Sequence, residues 1–273
     1  MQAYSAWTPP TGTLGAIVAE ARDRAALLKP NTAELTESAA SAPPSPSLAA
    51  ALRADAIAVI AEVKRRSPSK GWINPGISAV DQARSYETGG AAAVSILTEP
   101  AHFGGSASDL VAVRDSVSIP ALKKDFHVDP IQLVEAKALG ASAALLIARA
   151  LSPEHLREMI DAANELALEV IVEIRDDDEL TRALDAGASI IGINNRNLET
   201  LHIDPATAER LLSQIPPEII AIAESGVQSR VDVERFARAG ADAVLVGSVL
   251  SAAADPVEAV RELTGVHRTG RGR

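Results

Sequence analysis

One pattern recurs four times along this chain: glycine, then small residues, then an apolar run of strand length. GGAAAVSIL starts at residue 89, GASAALLI at 140, GASIIGIN at 187 and GADAVLVG at 240, in steps of 51, 47 and 53 residues. A repeat of this period constrains a fold strongly, because every copy must form the same supersecondary unit. Each Gly lies where a helix would end in a left-handed cap, and the apolar run after it reads as a strand. Between the copies lie four more apolar runs: AVIAEVK (58–64), PALKK (120–124), LEVIVEI (168–174) and EIIAIAE (218–224). Amphipathic segments such as SPEHLREMIDAANEL (152–166) and DVERFARAG (232–240) separate them. Strands apolar on both faces and joined by helices predict a parallel sheet covered on its outside, and eight βα units are the number that closes one. The expected fold is therefore α/β, a (β/α)8 TIM barrel. A doubly wound open sheet is the runner-up. The evenness of the repeat and the lack of a GxGxxG after any early strand count against it.

Upstream the pattern changes. Residues 13–29 carry Leu14, Ile17, Val18, Ala21, Ala25 and Leu28 at helical spacing and stop at Pro30. SAASAPPSPS (38–47) reads as a connector, and residues 48–54 as a further short helix. The organisation expected is a helical extension over 1–55, belonging to the same domain as a catalytic barrel over 56–265, and a basic, frayed tail over 266–273. A chain without cysteine has no disulfide, thiolate metal site or cysteine nucleophile. Its net charge of −10 disfavours nucleic acid, and no apolar stretch is long enough to cross a membrane. The start, MQAYSAWTPP, lacks the basic and apolar run of a secretory signal, so cytoplasmic residence is expected. No long heptad or apolar patch calls for a partner subunit, so a monomer is expected.

In such a barrel the chemistry sits at the C-terminal ends of the strands. Here those ends are charged: Glu62 and Lys64 after the first strand, Lys124 after the third, Glu173 after the fifth, Glu224 after the seventh, and Asn194 then Arg196 after the sixth. Any one of these is equally read as a solvated strand end or a salt bridge closing the barrel top. Five ionisable groups on alternate strands, in otherwise apolar runs, would carry a large desolvation cost unless paired or used on a substrate. Gly226 and Gly247, in the loops after the seventh and eighth strands, let backbone N–H groups approach an anion, which predicts a phosphorylated small-molecule substrate. RRSPSKG (65–71), including Ser67, reads either as an exposed turn or as an anion-collecting flap. With seven aromatic residues in all, Phe103 and Phe126 beside the charged mouth are candidates to sandwich a substrate ring, although most phenylalanines are simply core. His102 and His127 read as incidental, and no spacing suggests a metal site.

Taken in order, IAEVKRRSPSKG (60–71), SILTEPAHFGGS (95–106), LKKDF (122–126), ALLIA (144–148), VEI (172–174), IGINNRNLETL (191–201), AESGV (223–227) and VLVGS (244–248) resemble the indole-3-glycerol-phosphate synthase family of tryptophan biosynthesis. The resemblance runs from about residue 13 to 264. It implies closure of the pyrrole ring of 1-(2-carboxyphenylamino)-1-deoxyribulose 5-phosphate with loss of CO₂ and water, without metal or cofactor. It also implies Lys124 as general acid, Glu173 as general base, and Lys64 as a contact to substrate anions that assists proton transfer. Glu62 and Glu224 would tune the lysines. Asn194, Arg196, Ser225 and Ser67 would hold polar parts of the substrate, with Gly226, Gly247 and Ser248 on the phosphate and Phe103, Phe126 and Leu145 on the ring. The residues before 56 would form a lid over the site. Trp72, NPGI (74–77) and His127 depart from the family's usual NPDF-like and aliphatic residues. Phosphoribosylanthranilate isomerase, an indole-releasing lyase and a non-catalytic phospholigand-binding barrel are the alternatives.

Overall fold

All eight expected strands form: β1 (Ala58–Val63), β2 (Ala93–Leu97), β3 (Ala121–Lys124), β4 (Ala143–Ile147), β5 (Glu169–Ile174), β6 (Ile190–Asn194), β7 (Ile220–Glu224) and β8 (Ala243–Val246). In this computed structural model, which describes residues 7–270, they pair in parallel and in sequence order around a closed ring. Ile60 shows the closure, since it faces Leu245 of β8 on one side and Ala93 of β2 on the other. The open sheet is thereby excluded. Every strand residue is buried except Glu169 and Lys124, which are partly so. That fits runs with no polar face: one side fills the barrel and the other packs under helices.

The repeat's glycine does the conformational work expected of it. Gly90, Gly140, Gly187 and Gly240 have φ of +95°, +80°, +90° and +99°, the left-handed turn that takes a helix back into a strand. In the first copy it is the second glycine, not Gly89, that makes this turn.

The extension wraps the barrel from mouth to base. α1 (Gly12–Leu28) buries Leu14, Ile17, Val18, Ala21 and Ala25 and contributes Thr13, Leu14 and Ile17 to the wall of the cavity at the mouth. A 3₁₀ turn at Lys29–Asn31, with Pro30 inside it, leads into α2 (Thr32–Ser41), which packs on helix Pro130–Ala138. This helix was not expected, because Ala39 is its one buried residue and it leaves little periodicity to read; the connector thus shortens to residues 42–47. α3 (Leu48–Ala51) is capped by the Ser47 hydroxyl, which together with the Ala49 N–H binds Glu169 at the start of β5. Leu48 and Leu52 are fully buried in the core there.

The tail corrects a second expectation. Its first residues are not frayed: His267 bridges to Ala56, and the Arg268 guanidinium pairs with buried Asp242 and donates to the Ala54 carbonyl at 2.9 Å. A cation that neutralises a buried carboxylate is held by it. Residues 271–273 lie outside the described residues.

Candidate active site

At the C-terminal ends of the strands lies a cavity of about 710 Å³, ordinary for a small-molecule site. Glu62, Lys64, Ser67, Lys124, Glu173, Asn194, Arg196, Glu224, Ser225, Gly226, Gly247 and Ser248 all line it, as do Phe103, Phe126 and Leu145. The charged strand ends therefore do converge. Lys124 Nζ is 2.8 Å from Glu224 Oε2 and 3.6 Å from Glu173 Oε2. Across the mouth Lys64 pairs with Glu62, whose other oxygen takes a long hydrogen bond of 3.5 Å from Ser95.

These groups set one another's protonation. Burial disfavours the charged form of Lys124, yet the charges of Glu224, Glu173 and Glu62 more than offset it and raise its pKa above the ordinary lysine value. Burial also works against charged Glu62, but Lys64 and Lys124 prevail and its pKa falls. Glu173 goes the other way. Burial and then the like charge of Glu224 push it up to about 7, although Lys124 and a hydrogen bond from Asn194 pull it down. The cluster thus holds a cation that keeps its proton beside a carboxyl poised near neutrality. Glu224 Oε1 is buried without a hydrogen-bond partner among the described residues.

Two glycines make room for the acids. A Cβ on Gly192 of β6 would collide with Glu224 Oε1, and a Cβ on Gly247 with Glu62 Oε1. Gly247 thus has a packing reason to lack a side chain, independent of the anion contact expected from the sequence. Gly192 was missed in the sequence, where it reads as one more strand residue. Ser225 and Gly226 both turn through positive φ, +64° and +89°, directly after Glu224. Buried Asn195 fixes that turn by donating to the Ser225 carbonyl at 2.9 Å, while its own side-chain oxygen accepts from Ala208 N–H. The Arg196 side chain is tethered to the Leu201 carbonyl at 3.1 Å in a loop folded back through the Arg196–Ile203 bridge.

The aromatic expectation changes in detail. Phe103, on a one-turn helix (Pro100–Phe103), and Phe126 have centroids 6.1 Å apart and tilted by 37°. That is the separation of two rings in mutual contact, so no third ring fits between them; they form one wall. Residues 66–72 form a two-stranded hairpin, Arg66–Ser67 against Gly71–Trp72, with Arg66 stacked over Trp72 at 5.5 Å. Arg65 braces it with a bidentate pair to Asp109. His127 is not on the cavity but buried behind β3, 3.4 Å from Lys123. Glu20, Glu99 and His102 bring potential metal ligands together. Glu99, however, already accepts from the backbone N–H groups of Ala101, His102 and Phe103, and His102 from its own ring contacts Glu20 at 2.8 Å.

Comparison with known proteins gives a consistent result. A family model described as "Indole-3-glycerol phosphate synthase" matches residues 14–263. A protein of that name from Streptomyces griseus is 49% identical over 244 residues, covering 88% of this chain and 91% of the relative. Another from Rhodococcus jostii is 48% identical, covering 86% and 88%. In three dimensions the chain is similar to 3-hexulose-6-phosphate synthase from Salmonella typhimurium, with a TM-score of 0.61 at 16% identity, covering 76% of this chain and 96% of that one. That last likeness speaks for the fold alone.

Proposed function

The chain belongs to the indole-3-glycerol phosphate synthase family, and from that premise we propose how its residues divide the reaction. The protein is a carbon–carbon lyase of tryptophan biosynthesis that turns 1-(2-carboxyphenylamino)-1-deoxyribulose 5-phosphate into indole-3-glycerol phosphate, CO₂ and water. Lys124 is the general acid. Three carboxylates keep its ammonium protonated, so it can deliver a proton to the substrate's carbonyl oxygen as the ring carbon attacks the carbonyl carbon. A carbon–carbon bond forms and the oxygen becomes a hydroxyl. The carboxyl then leaves as CO₂, and its bonding electrons remain in the ring. Aromatisation follows when the hydroxyl takes a second proton, from the Lys64 ammonium, and departs as water while Glu173 removes a proton from the adjacent carbon. Glu173, pushed up to about 7, is partly ionised at neutral pH and suits that base role.

The remaining roles follow charge and position. Lys64 and Arg196 meet the substrate's anionic groups, with Asn194, Ser225 and Ser67 on its polar atoms and Gly226, Gly247 and Ser248 on its phosphate. Phe103, Phe126 and Leu145 receive its carboxyphenyl ring. The enzyme acts in the cytoplasm as a monomer: no described helix is long and apolar enough to cross a membrane, and the exposed large apolar side chains, Leu27, Trp72 and Val231, lie on three different segments.

The observation that carries the reading is Lys124 between Glu224 and Glu173 at the cavity. Its test is the fluorescence of indole-3-glycerol phosphate appearing from the substrate, with wild type and Lys124→Ala side by side. Turnover by wild type and its loss in the variant are expected; a folded wild type that binds the substrate without turnover would make this a binding protein.

A further inference from the structure

We propose that Arg24 of α1 is a positioning residue for the aromatic wall: it holds the Phe103 and Phe126 loops in one arrangement and, through them, the ring of the substrate. The proposal rests on the reading that the carboxyphenyl ring packs on those two side chains. Arg24 is more than a hundred residues from Phe126 in sequence, and its ion pairs are with carboxylates and not with the rings; it grips what grips them. Its Nη2 donates to Asp125 Oδ1 at 2.7 Å, and its Nη1 is 3.6 Å from Glu99 Oε1. Asp125 Oδ1 accepts the backbone N–H of Phe126 at 2.8 Å. Glu99 Oε2 accepts the backbone N–H of Phe103 at 3.0 Å. Each carboxylate is thus one hydrogen bond from the main chain of a wall residue, and one guanidinium spans the pair.

Charge gives the bridge its force. Glu99 is fully buried and Asp125 is 6% exposed, so two anions from neighbouring loops sit out of water at the rim of the site. Buried anions need a cation with good geometry, and a planar guanidinium can serve two carboxylates at once. Lys123 stands 3.9 Å from Asp125, but its other carboxylate partner is Glu135 and not Glu99. Removing Arg24 therefore leaves the Glu99 loop without its cation and lets the two loops separate. α1 itself would stay in place, since Glu20–His102, Lys29–Asp129 and Thr11–Glu199 hold it at other points. A purely docking role for Arg24 and a role in setting the wall thus make different predictions.

The experiment uses the full chain and compares Arg24→Met with wild type. KM for the substrate should rise about tenfold with kcat within about twofold, because ring binding is lost equally from ground and transition states. Inhibition by inorganic phosphate should be unchanged, since the loops after β7 and β8 are not tied to Arg24. Arg24→Lys, which keeps one ion pair, should recover part of the loss, and Lys29→Met, which loosens the end of α1 without touching either carboxylate or the Phe103 helix, should leave KM unchanged. The decisive measurement is a double-mutant cycle. With Phe103→Leu and Phe126→Leu already in place, Arg24→Met should cost less than about threefold, as residues acting through one another do. An unchanged KM in Arg24→Met, or a penalty undiminished when both rings are gone, overturns the proposal while the catalytic reading stands. A wild type that neither turns over nor binds the substrate breaks that reading and the proposal with it.

Discussion

Lys123 and Lys124 are adjacent on β3, and they face opposite sides of the barrel wall. Lys123 is 2% exposed and lies behind the strand, 2.9 Å from Glu135, 3.9 Å from Asp125 and 3.4 Å from His127 Nε2. His127 is pushed down to about 3 by burial and by the Lys123 charge. It is therefore neutral near pH 7, with Nδ1 the protonated nitrogen that donates to the Leu145 carbonyl at 2.8 Å and Nε2 the acceptor toward Lys123. Asp125 is likewise filled by Arg24, Thr98 and the Phe126 N–H. On the other side Lys124 lines the cavity together with its partners Glu173 and Glu224. Both sides pair a lysine with carboxylates. What separates them is that the outer network is closed on itself and the inner one is left open toward a space that can hold a substrate. Buried charge alone does not mark a catalytic group; a paired charge that also reaches a cavity is the stronger candidate.

The sharpest way to break this comparison is to remove each ammonium in turn. Lys124→Met should lower kcat by about 10³-fold, the middle of the range for losing a general acid. Lys123→Met should keep kcat within a few-fold but cost about 3–5 kcal/mol in denaturant unfolding, as breaking a buried pair does. Matching losses of kcat in the two variants would show that the two sides do not differ in kind.

The next effect is smaller and tests whether the open side depends on the space given to it. Gly192→Ala places a methyl where Glu224 Oε1 now lies. The carboxylate must move, and its hydrogen bond to Lys124 should lengthen. We expect kcat to fall about tenfold, with the fold retained at a cost of about 1–3 kcal/mol, the usual price of overpacking. Wild-type kcat in this variant would mean that the contact between Glu224 and Lys124 is not needed in its present geometry.

The architecture was legible because it rests on periods. The glycine repeat marks four helix-to-strand turns, and strand alternation aims Glu62, Lys124, Glu173 and Glu224 at the same interior. Residue type and parity suffice for that. α1 was legible for the same reason, since five of its six spaced apolar residues are buried. α2 was not, because a helix with one buried residue has no period to reveal it. Nor were Arg24 and Asp125: their pairing joins positions 101 residues apart, and nothing local to either distinguishes it from a solvated charge. Gly192 and Asn195 went unnoticed for a related reason, since each serves a neighbour on another strand. The two phenylalanines were correctly placed at the mouth, but whether rings clasp or form a wall depends on a separation of 6.1 Å that only the fold sets.

The smallest effect concerns the carboxyl that makes the cavity side of the barrel sensitive to pH. Glu173 is held up at about 7 by burial first and by Glu224 second. As a base it must be ionised, so kcat/KM should rise with pH along an acid limb centred near 7, and at pH 6 about a tenth of the enzyme should carry the base form. Glu224→Gln removes the like charge, lowers the pKa of Glu173 and should move the limb to lower pH, whatever it does to the maximal rate. Glu135→Gln, in the closed network behind β3, should leave the limb where it is. The sign for stability follows from the same shift. A folded-state pKa above the ordinary 4.5 means that the folded protein holds this proton more tightly than the unfolded chain. Its contribution is therefore complete below about 4.5 and is lost as pH rises through about 7. Glu224→Gln should flatten that loss between about pH 5 and 8 in thermal unfolding. A limb that stays put in Glu224→Gln, or shifts equally in Glu135→Gln, would mean that the charges of the mouth do not act on the base as their geometry requires.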